Sequence, residues 1–250
     1  MLLRDARPDV LAIGQGSHAW LSGQLARAWG NERFPAPAPR EEVCLAACQH
    51  DIGWAEWDLQ PSLNRRDGRP HSFLNMPDLA THIELWRAAP DKVLTQSAYA
   101  ALLVSMHGAA LYARRDLDDL PEADATLIRG YLDSERERQT GLRARLDADE
   151  AQLARNQRLL WTWDSMSLAV CLPWDPHTAT RVPAADGEVD VEMRSTAPDR
   201  VRVHPWPFAA PEVHVHCEAR RLTERFGDER ELKAALETAP LERLNYTLTQ

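Results

Sequence analysis

The stretch "LLWTWDSMSLAVCLPWDP", residues 159–176, is where the chain changes its period. From Leu159 to Leu172 a helical stretch turns apolar and stays so. Beyond "PWDP" the segments "GEVDVEMRS", "RVRVHPWPF" and "EVHVHCEARRL" alternate apolar with polar residues and carry many valines. A period of two with β-branched residues reads as antiparallel strands. "DERELKAALE" then reads as a short helix and "LERLNYTLTQ" as a last strand.

Upstream of residue 159 the period is helical. The charged first half of the region starting "PEADATLIRG" is solvated on most faces, and Gly141 is the expected break in it. "SAYAALLVSMHGAALYARR" is the most apolar helix and so the central one. "DLATHIELWRAAP" is a short helix with Asp78 as its cap, and "EEVCLAACQHDIGWAEW" begins with acids where the helix dipole favours them. In "QGSHAWLSGQLARAWG", Ser17 is the expected N-cap and Gly30 the stop; His18, Leu21, Leu25 and Trp29 share one face. "MLLRDARPDVLAIG" reads as a small hairpin or extended segment, and "DLQPSLNRRDGRPHSFLNMP" as a long loop anchored by aromatic residues. The expectation is a mainly α protein, α+β overall. A helical domain spans residues 1–175 with a short extended N-terminal segment, and a small antiparallel β-rich C-terminal unit spans 176–250.

Composition narrows the function. Acids outnumber bases by 38 to 29 among 250 residues, which argues against a nucleic-acid polymer as partner. Small phosphate-bearing ligands stay open, because a metal can supply local positive charge. The four cysteines, at 44, 48, 171 and 217, form no CxxC pair, so the expectation is reduced thiols in a cytoplasmic protein. The N-terminus lacks the apolar core of a signal peptide, and no run reaches the roughly 18 apolar residues of a membrane span. There is no GxSxG elbow; "GQGSH" lacks phosphate-loop spacing; no thiol nucleophile is expected, because the cysteines lie in apolar text.

The chemistry lies in ligand-type residues set singly on separate helical segments. His18 begins one, His50 and Asp51 end the next, and His82, His107 and Asp164 follow on three more. A carboxylate inside "LLWTWDSMSLAVCL" is costly unless it is paired, hydrogen-bonded or bound to metal. Each histidine alone reads more readily as an ordinary core or surface residue. Together, imidazoles and carboxylates on facing helices suit one or two divalent transition ions such as Mn, Fe, Ni or Zn. His214 and His216 share a strand face, but no third ligand is near them in sequence.

The order His18, His50-Asp51, Asp164 resembles the HD superfamily of metal-dependent phosphohydrolases, with His82 and His107 in the interval where two-metal members place further ligands. The text "HDIGWAEWD", "LLVSMHG" and "WDSMSLAVCL" is similar, more closely, to a bacterial uncharacterised family, domain-of-unknown-function family 3891. The resemblance implies an HD-like helical core, with Asp51 bridging ions and also catalytic, and hydrolysis of a phosphoester or phosphoanhydride, a nucleotide among the candidates, by a metal-activated water. The sequence departs from two-metal members in having no adjacent histidine pair after His82. The alternatives are a metal- or ligand-binding sensory module without turnover, and an HD-like di-iron oxygenase.

Around this set, Glu56 and Asp58 are candidates for general base or histidine partner. Arg65, Arg66 and Arg69 are candidate phosphate contacts, and equally ordinary surface arginines. Trp54 and Trp57 are either an apolar wall beside the site or loop anchors. The β unit would cap the helical core or mediate a homodimer.

Overall fold

The computed structural model describes residues 1–223 and 225–250. Strands β1 (Leu2–Ala6) and β2 (Asp9–Ile13) form the expected N-terminal hairpin. Helices α1 (Gln15–Ala28) and α2 (Arg40–Gln49) follow, then a 3-10 turn (Ile52–Trp54) and the short α3 (Ala55–Leu59). The long loop holds a miniature hairpin, β3 (Leu63–Asn64) and β4 (Arg69–Pro70). Helices α4 (Leu79–Leu94), α5 (Ala98–Ala113), α6 (Glu122–Arg143) and α7 (Glu150–Cys171) come next. Asp78, Ser97 and Asp149 cap α4, α5 and α7, each side chain accepting from backbone N–H groups of the first turn. The chain ends with β5 (His177–Ala184), β6 (Gly187–Ala197), β7 (Arg200–His204), β8 (Glu212–Leu222), α8 (Glu229–Thr238) and β9 (Leu241–Thr249).

One sheet joins both ends of the chain in the order β1-β2-β8-β9-β7-β6-β5, curled into a half-barrel. Its ladders are antiparallel except for β7 beside β9. This corrects the expected fold class. The β structure is not a small C-terminal unit beside a mainly α, HD-like core; it is a seven-stranded layer that recruits the N-terminal hairpin. β5, in "HTATRVPA", precedes the first segment read as a strand from its alternation, "GEVDVEMRS".

The pleat explains the layering. Val213, Val215, Cys217 and Ala219 of β8 point into the main core, which also contains Leu21 and Leu25 of α1, Leu102 and Leu103 of α5, and Leu160 and Trp163 of α7. β2 is buried on both faces: Leu11 and Ile13 join that core, while Val10 and Ala12 meet Leu232 and Leu236 of α8. β2 covers only Ala219–Leu222 of its neighbour, leaving the rest of that β8 edge open. An open edge exposes unpaired backbone groups, and α1 closes it. Ser17 donates to the Glu218 carbonyl (2.8 Å) and accepts from its N–H (2.7 Å); Gln24 does the same at His216 (2.8 and 3.0 Å). Ser17 therefore pins the helix to the sheet, and Gly14 holds the N-cap position. No helix among the described residues is long and apolar enough to cross a membrane.

Candidate metal centre

The end of α2 builds the floor of the site. His50 is the C-cap residue and Asp51 begins the 3-10 turn. Gly53 packs so closely on α4 that a Cβ there would strike the Leu85 carbonyl. His50 Nδ1 donates to the Ala47 carbonyl at 3.0 Å, which fixes its tautomer and aims Nε2 into the interior. His18 enters from the first turn of α1. Ser167 gives its own proton to the Asp164 carbonyl (2.8 Å), so its oxygen accepts from His18 Nδ1 (2.8 Å). His18 Nε2 then faces Asp51 Oδ2 at 2.6 Å. His107 of α5 and Asp164 of α7 complete the cluster from the opposite side.

The ligand-type atoms form two overlapping groups, His18–His50–Asp51 and His50–His107–Asp164, with the atoms of each group within 4.8 Å of one another. His50 Nε2 lies 3.4 Å from Asp51 Oδ2 and 3.4 Å from Asp164 Oδ1, and His107 Nε2 lies 3.4 Å from Asp164 Oδ2. Donors about 2.1 Å from an ion at tetrahedral corners stand roughly 3.4 Å apart. These separations are long for hydrogen bonds. His50 Nε2, Asp51 Oδ1 and both ring nitrogens of His107 accordingly have no hydrogen-bond partner, although His18, His50, Asp51 and His107 are at most 2% exposed. A buried polar atom left unsatisfied costs about 1–3 kcal/mol. Buried His and Asp groups with unused lone pairs at these spacings could hold a metal ion.

The electrostatics agree with the geometry. Burial opposes charge on His50, but the Asp51 and Asp164 carboxylates outweigh it and push the imidazole up to about 9. Burial also raises Asp164, yet His107 and His50 overcome it and hold the carboxyl well below its usual range. The site is a concentration of negative charge that attracts cations.

A cavity of about 310 Å³ opens onto His18, Asp51 and Asp164. Trp54 and Trp86 form part of its wall, with His82, Tyr112, Gln15 and Arg115 around them. His82 stands outside both ligand groups. Burial, aided by the positive charge of Arg115, brings it down to about 4. Burial raises Tyr112, which keeps its proton and donates to His82 Nδ1 at 2.5 Å.

The structure therefore brings together His18, His50, Asp51, His107 and Asp164, with Trp54 beside them, and sets the other expected residues elsewhere. Glu56 is exposed and pairs with Lys92 at 3.1 Å. Asp58 is engaged by the Met1 amino group at 2.6 Å and by the Gln15 backbone N–H. Arg65 and Arg66 are exposed on the turn between β3 and β4, and Arg69 pairs with Asp5 at 2.9 Å. Trp57 packs against the Trp54–Trp86 cluster without lining the cavity. His214 lies between Glu212 and Thr247 on the exposed side of β8, while His216 stacks edge-on against Trp20. Sequence reasoning missed Gln15, Tyr112 and Arg115. For Gln15 the available signal was helical spacing, three residues ahead of His18 on α1; Arg115 lies two residues past the end of α5, where no helical spacing marks it.

A family model described as "Protein of unknown function (DUF3891)" matches residues 1–224. No curated protein and no solved structure matches the chain. With the match spanning most of its length, the chain belongs to that family.

Proposed function

We propose that this member of the DUF3891 family is a metal-dependent hydrolase that cleaves a phosphoester or phosphoanhydride with water. The carrying observation is the set of unpartnered, buried ligand-type atoms on His50, His107 and Asp51, spaced as ion ligands are, beside a cavity lined by His18, Asp51 and Asp164. A purely structural cluster would close such atoms with hydrogen bonds. The order of the donors, which resembles that of HD phosphohydrolases, supports the same reading.

His18, His50 and Asp51 would hold one ion, and His107 and Asp164 with His50 a second position or the far side of the same one. When bound, a divalent transition ion supplies Lewis acidity, acidifying water and drawing charge from a phosphoryl oxygen. The chain's own groups orient and exclude. Ala47 and Ser167 fix the ring orientations of His50 and His18. Trp54 and Trp86 keep bulk water from the back of the cavity, which strengthens every charge inside it. His82, neutral and hydrogen-bonded by Tyr112, stands at the wall as a donor from its other ring nitrogen.

The test is metal content of the purified protein, followed by phosphate release from a panel of phosphoesters and nucleotides. His50→Ala and Asp51→Asn are expected to lose metal and turnover together, and Arg66→Ala to keep both. Undiminished metal stoichiometry in the His50→Ala/Asp51→Asn double variant overturns the site. Metal without turnover on any phosphate ester overturns the hydrolase and leaves a metal-binding module.

A further inference from the structure

Resting on the hydrolase reading, we infer that the cavity takes a compact phosphomonoester with a flat apolar body, that Arg115 grips its phosphate, and that a nucleoside triphosphate is not its ligand.

Charge is the first argument. Among the described residues lining the cavity, Arg115 is the one arginine or lysine. Its guanidinium lies 4.9 Å from the centre of the Tyr112 ring, so stacking holds the planar group while its N–H edges remain available. Arg114, the adjacent cation, is turned onto Trp161 at 3.9 Å and does not line the cavity. One guanidinium and an ion position carrying Asp51 and Asp164 match one phosphoryl group. A triphosphate would bring further negative charge beside those carboxylates with no further cation to meet it.

Shape is the second argument. At about 310 Å³ the cavity sits at the lower end of small-molecule pockets, which run from about 300 to 1,000 Å³. Trp54, Trp86, Phe73 and Leu111 give it apolar walls. That surface has no use for a ribose or a second phosphate and suits an aromatic or short aliphatic group.

Polar detail is the third. Tyr112 occupies His82 Nδ1, which leaves the proton of the neutral ring on Nε2. Gln15 is 3% exposed, lines the cavity, and its Oε1 has no partner. The His82 Nε2–H can donate to an ester oxygen, while Gln15 Oε1, an acceptor, suits the O–H of the attacking water or of the departing alcohol. In the reaction, the water oxygen bonds to phosphorus, the bond from phosphorus to the ester oxygen breaks, and a proton from water ends on the departing alcohol.

The experiment titrates manganese-loaded protein with phenyl phosphate, inorganic phosphate and ATP by calorimetry, and follows phosphate release from phenyl phosphate and from ATP. Phenyl phosphate is expected to bind about tenfold or more tighter than either of the others. Arg115→Met should weaken it by about tenfold or more, the scale of a lost charged hydrogen bond. Arg115→Lys should recover part of that loss, and Arg66→Met should change nothing. ATP binding as tight as phenyl phosphate, or an Arg115→Met protein with unchanged affinity, overturns the inference. Phosphate released from ATP in preference to phenyl phosphate sinks the pocket assignment and keeps the hydrolase. Arg115-dependent binding of phenyl phosphate in a protein that takes up no metal and releases no phosphate does the reverse.

Discussion

At the scale of single residues, His50 decides how the centre responds to pH. Two carboxylates push its imidazole up to about 9, so near neutral pH it carries a proton that a metal ion must displace. The sign follows from the raised value. Metal affinity should climb with pH towards about 9, by up to about tenfold per unit. The same shift stabilises the metal-free fold fully below about 6.5, and that contribution is lost as pH rises through about 9. Manganese titrations near pH 7.5, in buffers of different ionisation enthalpy, should show proton release; heats independent of buffer would remove His50 from the ligand set. The residues that cluster in the candidate centre were legible because chemistry-bearing side chains stood in apolar text, as Asp164 does. Those that line the cavity were not, because Arg115 follows the end of α5, where only the fold places it, and nothing about Gln15 is unusual until a helix is drawn through His18. Leu168 follows Asp164 by four residues and lines the same cavity for the same reason.

At the scale of elements, capping was readable and breaks were less so. Asp78 was legible as a cap of the helix carrying His82 and Trp86, and its carboxylate accepts from Ala80 and Thr81 at 3.2 and 3.0 Å. Asp78→Ala should cost about 1 kcal/mol in urea unfolding, whereas Asp78→Ser should retain most of it. A loss of the same size in both variants would mean that the cap bonds contribute nothing. Gly141 was the expected break in the long helical region. It lies inside α6, where a Cβ would meet open space, and the chain breaks instead in residues 144–149, ahead of the Asp149 cap. A glycine weakens a helix without ending it, since one residue's propensity is smaller than the packing of a whole face. β5 was hidden because "HTATRVPA" lacks the valine alternation of its neighbours. It is a strand through pairing with β6, around an irregularity between Ala179 and Val182.

At the scale of the whole molecule, pairing partners far apart in sequence set the architecture. The local form of the N-terminal hairpin was legible, but not its destination beside β8, since register across such a distance is written only in which faces end up buried. The consequence is a shared core. Leu2 and Ile13, residues of the helices that carry the candidate metal centre, and Val215 and Leu248 of the sheet belong to one cluster. Trp29, just past α1, touches Trp163 of α7 at 5.8 Å and Phe208, beyond β7, at 5.5 Å between ring centres. Tryptophan fluorescence sums Trp29 with the eight other indoles and so reports side-chain packing in both layers, while far-ultraviolet circular dichroism reports mainly the helices. The two signals should melt together in urea. Leu248→Ala, a fully buried change on the last strand, should lower both midpoints in step, with a loss of about 2–5 kcal/mol. If the helical signal held its midpoint while the fluorescence moved, residues 1–175 and 176–250 would be units with separate stabilities. The candidate metal centre would then stand without the sheet that α1 seals; a common midpoint makes the strand edge under Ser17 and Gln24 part of what holds His18 in place.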